Sequence, residues 1–156
     1  MMNIPLVDDH VSFCEGLIAA IHAKEPGIRI NFESDAELVP PSLVGNSNFD
    51  LIIVDIMMPG IGGTELIRHL NAMGNFVPIV VMSSIDDIEE IQEIYSSGVL
   101  GFLPKYYSVE EIISALEQCQ SGQIHVPIKL IPHINLGKTG ERRRKIRVAA
   151  PNSDVS

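Results

Sequence analysis

The sequence predicts a mixed α/β domain with a parallel sheet and helices on both faces, and three observations predict it. Short strands built almost wholly from aliphatic residues alternate with amphipathic helical segments. Such strands read as buried on both faces, as in a sheet covered by helices. The alternation is strict and occurs five times, so each strand returns through a right-handed crossover.

The elements follow in order. Ile4-Pro5-Leu6-Val7 is the first strand and runs into Asp8-Asp9. Pro5 cannot donate a ladder hydrogen bond, so a central strand should place it at its start or at a bulge. A helix over about 11–24 carries Cys14, Leu17, Ile18 and Ile21 on one face and stops before Pro26-Gly27. The second strand, Ile28-Arg29-Ile30-Asn31-Phe32, alternates in polarity and suits a sheet edge. The next helix is poorly specified, because Pro40-Pro41 interrupts it and Gly45-Asn46-Ser47-Asn48 reads as loop. Strand three, Leu51-Ile52-Ile53-Val54, ends at Asp55; Met58-Pro59-Gly60 opens a tight loop, and a helix follows from about Thr64 to Met73.

Strand four is Ile79-Val80-Val81-Met82, ending at Ser83-Ser84. Asp86 with Glu89 forms an N-cap pair for a helix carrying Ile88, Ile91 and Tyr95, closed by Gly98. Strand five, Val99-Leu100-Gly101-Phe102-Leu103, leads to Pro104-Lys105. Ser108-Val109-Glu110-Glu111 is a capping box for a last helix whose apolar face is Val109, Ile112, Ile113 and Leu116.

Composition narrows the function classes. The chain is 46% hydrophobic, enough for a core. No stretch approaches the roughly 18 apolar residues of a membrane span. The N-terminus lacks a basic and apolar leader, so no membrane partner and a cytoplasmic location are expected. Cys14 and Cys119 have no CxxC or Cys/His spacing and read as buried thiols in a reducing compartment. The net charge of −9 conceals an asymmetry: residues 1–121 hold 4 basic and 18 acidic residues, residues 122–156 hold 7 basic and 2 acidic. That shift places a boundary near Gly122 and gives a division into 1–122 as the folded domain, 123–138 as linker and 139–156 as a basic tail.

The chemistry gathers where strands end. In parallel sheets the carboxyl ends of the strands open into a ligand crevice. Strand one delivers Asp8 and Asp9, strand three Asp55, strand four Ser83 and strand five Lys105. Clustered carboxylates repel one another and are tolerated mainly around a hard cation, which points to Mg²⁺. A hydroxyl and an ammonium could neutralise the remaining oxygens of a phosphoryl group, with Asp55 as nucleophile. His10 beside the two aspartates reads as a structural or exposed side chain, since Mg²⁺ prefers oxygen. Gly60, Gly62 and Gly63 shape a turn and do not form a phosphate loop, because no Lys-Ser/Thr follows them.

Over residues 3–122 the chain resembles the receiver domains of bacterial two-component response regulators. The matching motifs are Leu6-Val7-Asp8-Asp9-His10, Val54-Asp55-Ile56-Met57-Met58-Pro59-Gly60, Met82-Ser83-Ser84 and Gly101-Phe102-Leu103-Pro104-Lys105. All four occur in order. The resemblance implies a flavodoxin-like (CheY-like) five-stranded parallel sheet of order 2-1-3-4-5. It implies that Asp55 accepts phosphate from a sensor histidine kinase, with Mg²⁺ held by Asp9, Asp55 and the Met57 carbonyl and Asp8 contributing nearby. Ser83 and Lys105 would then bind the phosphoryl group. Ser83 and Phe102 fall where the family carries its switch pair, with Phe in place of a tyrosine that would have an outer hydroxyl. Catalysis would be limited to self-phosphorylation and slow hydrolysis, with dimer formation on phosphorylation. Met57 and Ile85, two residues beyond Asp55 and Ser83, are expected to hinder water and prolong the acyl phosphate.

The tail, residues 139–150, resembles the first helix of a LuxR-type helix-turn-helix domain, and the receiver resembles the type fused to such domains. DNA binding would belong to the full-length protein, since no recognition helix precedes Ser156. Two rivals stand beside this reading. One is a stand-alone receiver acting through protein contacts. The other is a Mg²⁺-dependent phosphatase with an Asp nucleophile, which would want an acid/base where Met57 stands.

Overall fold

A computed structural model of the chain describes residues 2–34, 49–56, 63–72, 77–137 and 148–149. It divides into two compact units, Met1–Ile79 and Val80–Ser156. In the first unit, β1 (Met2–Val7) lies between β2 (Ile28–Glu33) and β3 (Ile52–Asp55), with α1 (Val11–Lys24) and α2 (Gly63–Ala72). Both pairings are parallel: Leu6 lies opposite Phe32 on one side and Ile53 on the other. β1 and β3 are buried almost throughout, whereas β2 alternates buried Ile28 and Ile30 with exposed Arg29 and Asn31. That contrast follows from position, because only a central strand has neighbours on both sides.

Pro5 is neither at the start of β1 nor at a bulge. It sits mid-strand, in register with Asn31. Met2 N–H and Asp8 N–H both donate to the β2 side. By alternation the even residues face β2, and Pro5 faces β3. The β3 ladder begins only at Leu6↔Ile53, so the missing donor falls beyond it. Nearer the strand start, Asn3 N–H donates to Asp50 Oδ2 at 2.8 Å and its carbonyl accepts from Asp50 N–H at 2.9 Å.

The second unit contains β4 (Ile79–Ser83), α3 (Ile88–Ser96), β5 (Gly101–Pro104), α4 (Val109–Gln120) and two short strands, β6 (Ile124–His125) and β7 (Val148–Ala149). Their order is β4-β5-β6-β7, all parallel. Two strands are therefore added to the five predicted. The stretch 123–127, predicted as a linker, is bound to the sheet: His125 N–H donates to Leu100 C=O at 2.8 Å. Val148–Ala149 pairs with β6, where the tail resemblance predicts helix. The rest of that stretch, and the poorly specified helix before strand three, lie outside the described residues.

Helix ends follow local chemistry. The N-cap of α3 is Asp87, one residue later than predicted, and its side chain accepts from Glu89 N–H. Gly98, at φ 97°, ends that helix in the left-handed region that glycine adopts most readily. Ser108 and Glu111 form the predicted reciprocal capping box of α4. The buried stripe of α4 is Ile112, Ala115, Leu116 and Cys119, with Val109 and Ile113 only half-buried. Small Ala115 and Cys119 let the helix approach the sheet, which turns its predicted face by part of a turn. Both cysteines are buried and neither forms a disulfide. Burial pushes the Cys119 thiol up to about 12.

A buried polar network fastens β6 to both helices of this unit. Tyr95 O–H, from α3, donates to the His125 carbonyl. On the α4 side Gln118 Oε1 lies 2.9 Å from His125 Nδ1, and Tyr107 O–H lies 2.8 Å from Nε2. With Nδ1–H donating to the amide oxygen, Nε2 accepts from the tyrosine, so the ring is neutral. Burial accordingly pulls His125 down from 6.5 to about 4, against the attraction of the Glu111 carboxylate. Between those two values the unfolded chain binds the additional proton. Stability is therefore lost as pH falls through this window, by up to about 3 kcal/mol. The expected result is a melting temperature that drops more steeply between pH 6.5 and 4 in the parent than in His125→Gln, followed by circular dichroism.

Candidate functional site

The short bend after β1 and the end of β3 bring Asp8, Asp9, His10 and Asp55 together. One ligand atom from each lies within 4.8 Å of all the others. Asp8 and Asp55 are fully buried. Asp9 is partly exposed, its side chain at 32%. The cause is local: Leu6-Val7 of β1 and Ile53-Val54 of β3 run in parallel register, so the acidic residues that directly follow each pair fall at one place.

His10 is exposed, as the sequence reading has it, with its side chain 54% accessible. Its Nδ1 lies 2.8 Å from Asp8 Oδ1 and 3.4 Å from both Asp9 Oδ1 and Asp55 Oδ2. Its main-chain N–H also donates to Asp8 Oδ1, at 2.9 Å. Although His10 is the N-cap of α1, its side chain makes no capping hydrogen bond to that helix.

Three carboxylates in this space fit a hard divalent cation. Among the described residues Asp9 Oδ1, a buried atom, accepts no hydrogen bond, a cost that a metal–oxygen bond would remove. Met57, whose carbonyl the family resemblance adds to this set, lies outside the described residues.

Ser83 and Lys105 belong to the second unit, at the carboxyl ends of β4 and β5. They are adjacent there: Lys105 N–H donates to Ser83 C=O at 3.0 Å. Ser83 is fully buried, and its hydroxyl accepts from Ile85 N–H at 3.1 Å. Since Asp87 caps α3, Ser83 is not the helix cap. Phe102 is buried within β5, opposite Val81, and Ile85 is half-buried. A separate cavity of about 510 Å³ in the second unit is bordered by Tyr106, Tyr107, Glu111, His125 and Ile128. None of the predicted site residues lines it.

Comparison with known proteins agrees with the motifs. The family model described as the response regulator receiver domain matches residues 4–117. The transcriptional regulatory protein DegU of Brevibacillus brevis is 29% identical over 129 residues, 83% of this chain and 54% of that protein. The response regulator UvrY of Escherichia coli is 28% identical over 126 residues, 81% of this chain and 57% of that protein. The chain thus spans little more than half the length of these curated relatives. Among solved structures, a LuxR-family two-component response regulator from Aurantimonas superposes with a TM-score of 0.75 at 23% identity, over 91% of this chain and 97% of that one.

Proposed function

Because the chain belongs to the response regulator receiver domain family, we propose that it is a phosphorylatable signalling switch whose acceptor is Asp55. The observation that carries this is a fully buried Asp55 at the end of β3, sharing a 4.8 Å space with Asp8 and Asp9. One carboxylate oxygen of Asp55 attacks phosphorus of a phosphohistidine on a sensor kinase. The P–N bond breaks, its electron pair stays on the imidazole nitrogen, and that nitrogen takes up a proton. Asp8, Asp9 and Asp55, with the Met57 carbonyl that the family motif adds, would hold the cation. Mg²⁺, when bound, offsets the negative charge of the phosphoryl oxygens.

Ser83 and Lys105 are assigned to those oxygens by their places in the family motifs. Pulling the Ser83 hydroxyl toward a phosphoryl oxygen would cost it the Ile85 N–H bond, which couples the modification to the β4–α3 loop. Phe102, buried in β5 opposite Val81, is the second half of the switch. The chain turns over no independent substrate and acts in the cytoplasm. Its output, with dimer formation on phosphorylation, is transcriptional control through a DNA-binding region of the full-length protein. The family match and a curated relative named a transcriptional regulatory protein support that reading.

The test is intact-mass measurement after incubation with acetyl phosphate. One phosphate should be gained with Mg²⁺, little with EDTA, and the gain should be removed by hydroxylamine, which cleaves acyl phosphates. No gain, or a hydroxylamine-resistant one, would overturn the assignment. Ile85→Asn is expected to shorten the phosphorylated lifetime several-fold by admitting water beside the acyl phosphate. An unchanged or longer lifetime would remove Ile85 from that role.

A further inference from the structure

Residues 124–137 are fastened to α3 at two points of unequal strength. Gln92 and Tyr95 stand three residues apart on that helix, so their side chains leave one face of it. At the inner point the Tyr95 hydroxyl, in a buried setting, donates to the His125 carbonyl. β6 is held there from other sides as well. His125 N–H donates to Leu100 C=O, Gln118 and Tyr107 engage the imidazole, and Ile124 and Val126 are buried. At the outer, exposed point the Gln92 amide clasps the main chain of Asn135. Its Oε1 accepts from Asn135 N–H at 2.7 Å and its Nε2 donates to Asn135 C=O at 3.1 Å, so one side chain copies a strand bridge. Between the two points the chain forms a 3₁₀ turn, Ile128–His133, that buries none of its residues, and Ile128 is 64% exposed.

We propose that the outer point is a clasp that phosphorylation of Asp55 opens, so that the chain from Ile128 onward passes from docked to tethered while β6 stays in the sheet. The inference rests on the switch reading above and adds to it the element that the switch moves. α3 starts directly beyond the loop that Ser83 holds through Ile85 N–H. Loss of that bond lets the helix shift, and packed helices shift by about 1–2 Å in such transitions. Bonds of 2.7 and 3.1 Å do not survive a displacement of that size, because hydrogen bonds fail beyond about 3.5 Å. Moving β6 would expose Ile124 and Val126, whereas opening the clasp uncovers no buried residue of the 3₁₀ turn. The part with least burial opens first. The released stretch leads into the basic residues that begin at Lys138, which the switch thereby reaches.

The test is amide exchange of the full chain, resolved by residue with NMR, in Mg²⁺ alone and in Mg²⁺ with acetyl phosphate, the phosphate being counted by intact mass. In the phosphorylated parent the Asn135 amide should exchange at least about fivefold faster, and that of His125 by less than about twofold. Gln92→Ala should show the fast Asn135 exchange in Mg²⁺ alone and no further rise with acetyl phosphate. Unchanged Asn135 exchange in a parent that carries one phosphate would overturn the clasp and leave Asp55 as the acceptor. So would a full phosphate-dependent rise in Gln92→Ala, because the opening would then bypass that side chain. An equal rise at His125 counts against it too, since β6 would be leaving with the rest. A parent that gains no phosphate brings down the clasp together with the switch reading.

Discussion

Asp55→Asn is expected to reduce phosphate uptake from acetyl phosphate to less than about one hundredth of the parent's, because the amide nitrogen's lone pair is delocalised into the carbonyl and the amide oxygen lacks the carboxylate's charge, so neither attacks phosphorus well. The same substitution should raise the melting temperature in EDTA. Asp8 and Asp55 are both fully buried and share the 4.8 Å space with Asp9. Two like charges about 4 Å apart repel by about 4 kcal/mol at an effective dielectric constant near 20, before relaxation and the neighbouring imidazole reduce it. A net gain of about 1 kcal/mol, a few degrees, is the expected remainder. With saturating Mg²⁺ the order reverses, since an ion that binds only the native state stabilises the parent more than a variant lacking one carboxylate. Differential scanning calorimetry of both chains, with EDTA and with Mg²⁺, reads this crossing. A variant destabilised in both solutions would show that Asp55 is held by favourable native contacts and not against its neighbours. Retained phosphate uptake would move the acceptor elsewhere.

The elements that could be read from the sequence are those whose local chemistry and tertiary environment agree. α1 spans Val11–Lys24 as predicted, because its buried residues Cys14, Leu17 and Ile21 recur at helical spacing and Pro26-Gly27 follows. The α4 capping box is likewise present as predicted, since it closes within four residues. The acidic site was legible for a similar reason: Asp8 and Asp55 are the first polar residues after apolar strands, and a parallel sheet brings such ends together. What could not be read depends on partners distant in sequence. Pro5 is tolerated mid-strand because the β3 ladder starts one residue beyond it. No property of residues 1–10 reveals that. Likewise Ile124-His125 becomes sheet only because Leu100 C=O and Tyr95 are placed to receive it.

Tyr95 should be the most damaging truncation in the second unit. Its side chain is fully buried and its hydroxyl donates to the His125 carbonyl. Burial is also the first cause that raises its phenol well above the ordinary value, with Cys119 and Tyr107 adding to it. The hydroxyl therefore stays protonated and donating throughout the accessible pH range. Tyr95→Ala removes an aromatic ring from a packed site, which costs about 3–5 kcal/mol, and leaves a buried carbonyl with one fewer donor, about 1 kcal/mol more. Set against a total stability of about 5–15 kcal/mol for a domain, such a loss would leave a substantial unfolded fraction at 37 °C. Tyr95→Phe separates the two terms: the ring stays, and the hydrogen bond alone should account for about 1–2 kcal/mol. Urea unfolding gives both numbers, and amide exchange places them. In Tyr95→Phe, the amide of His125 in β6 should exchange faster, while those of Val81 and Met82 in β4 keep their protection. Equal stability of Tyr95→Phe and the parent would mean that packing of the ring, and not the hydroxyl, holds β6 against the sheet.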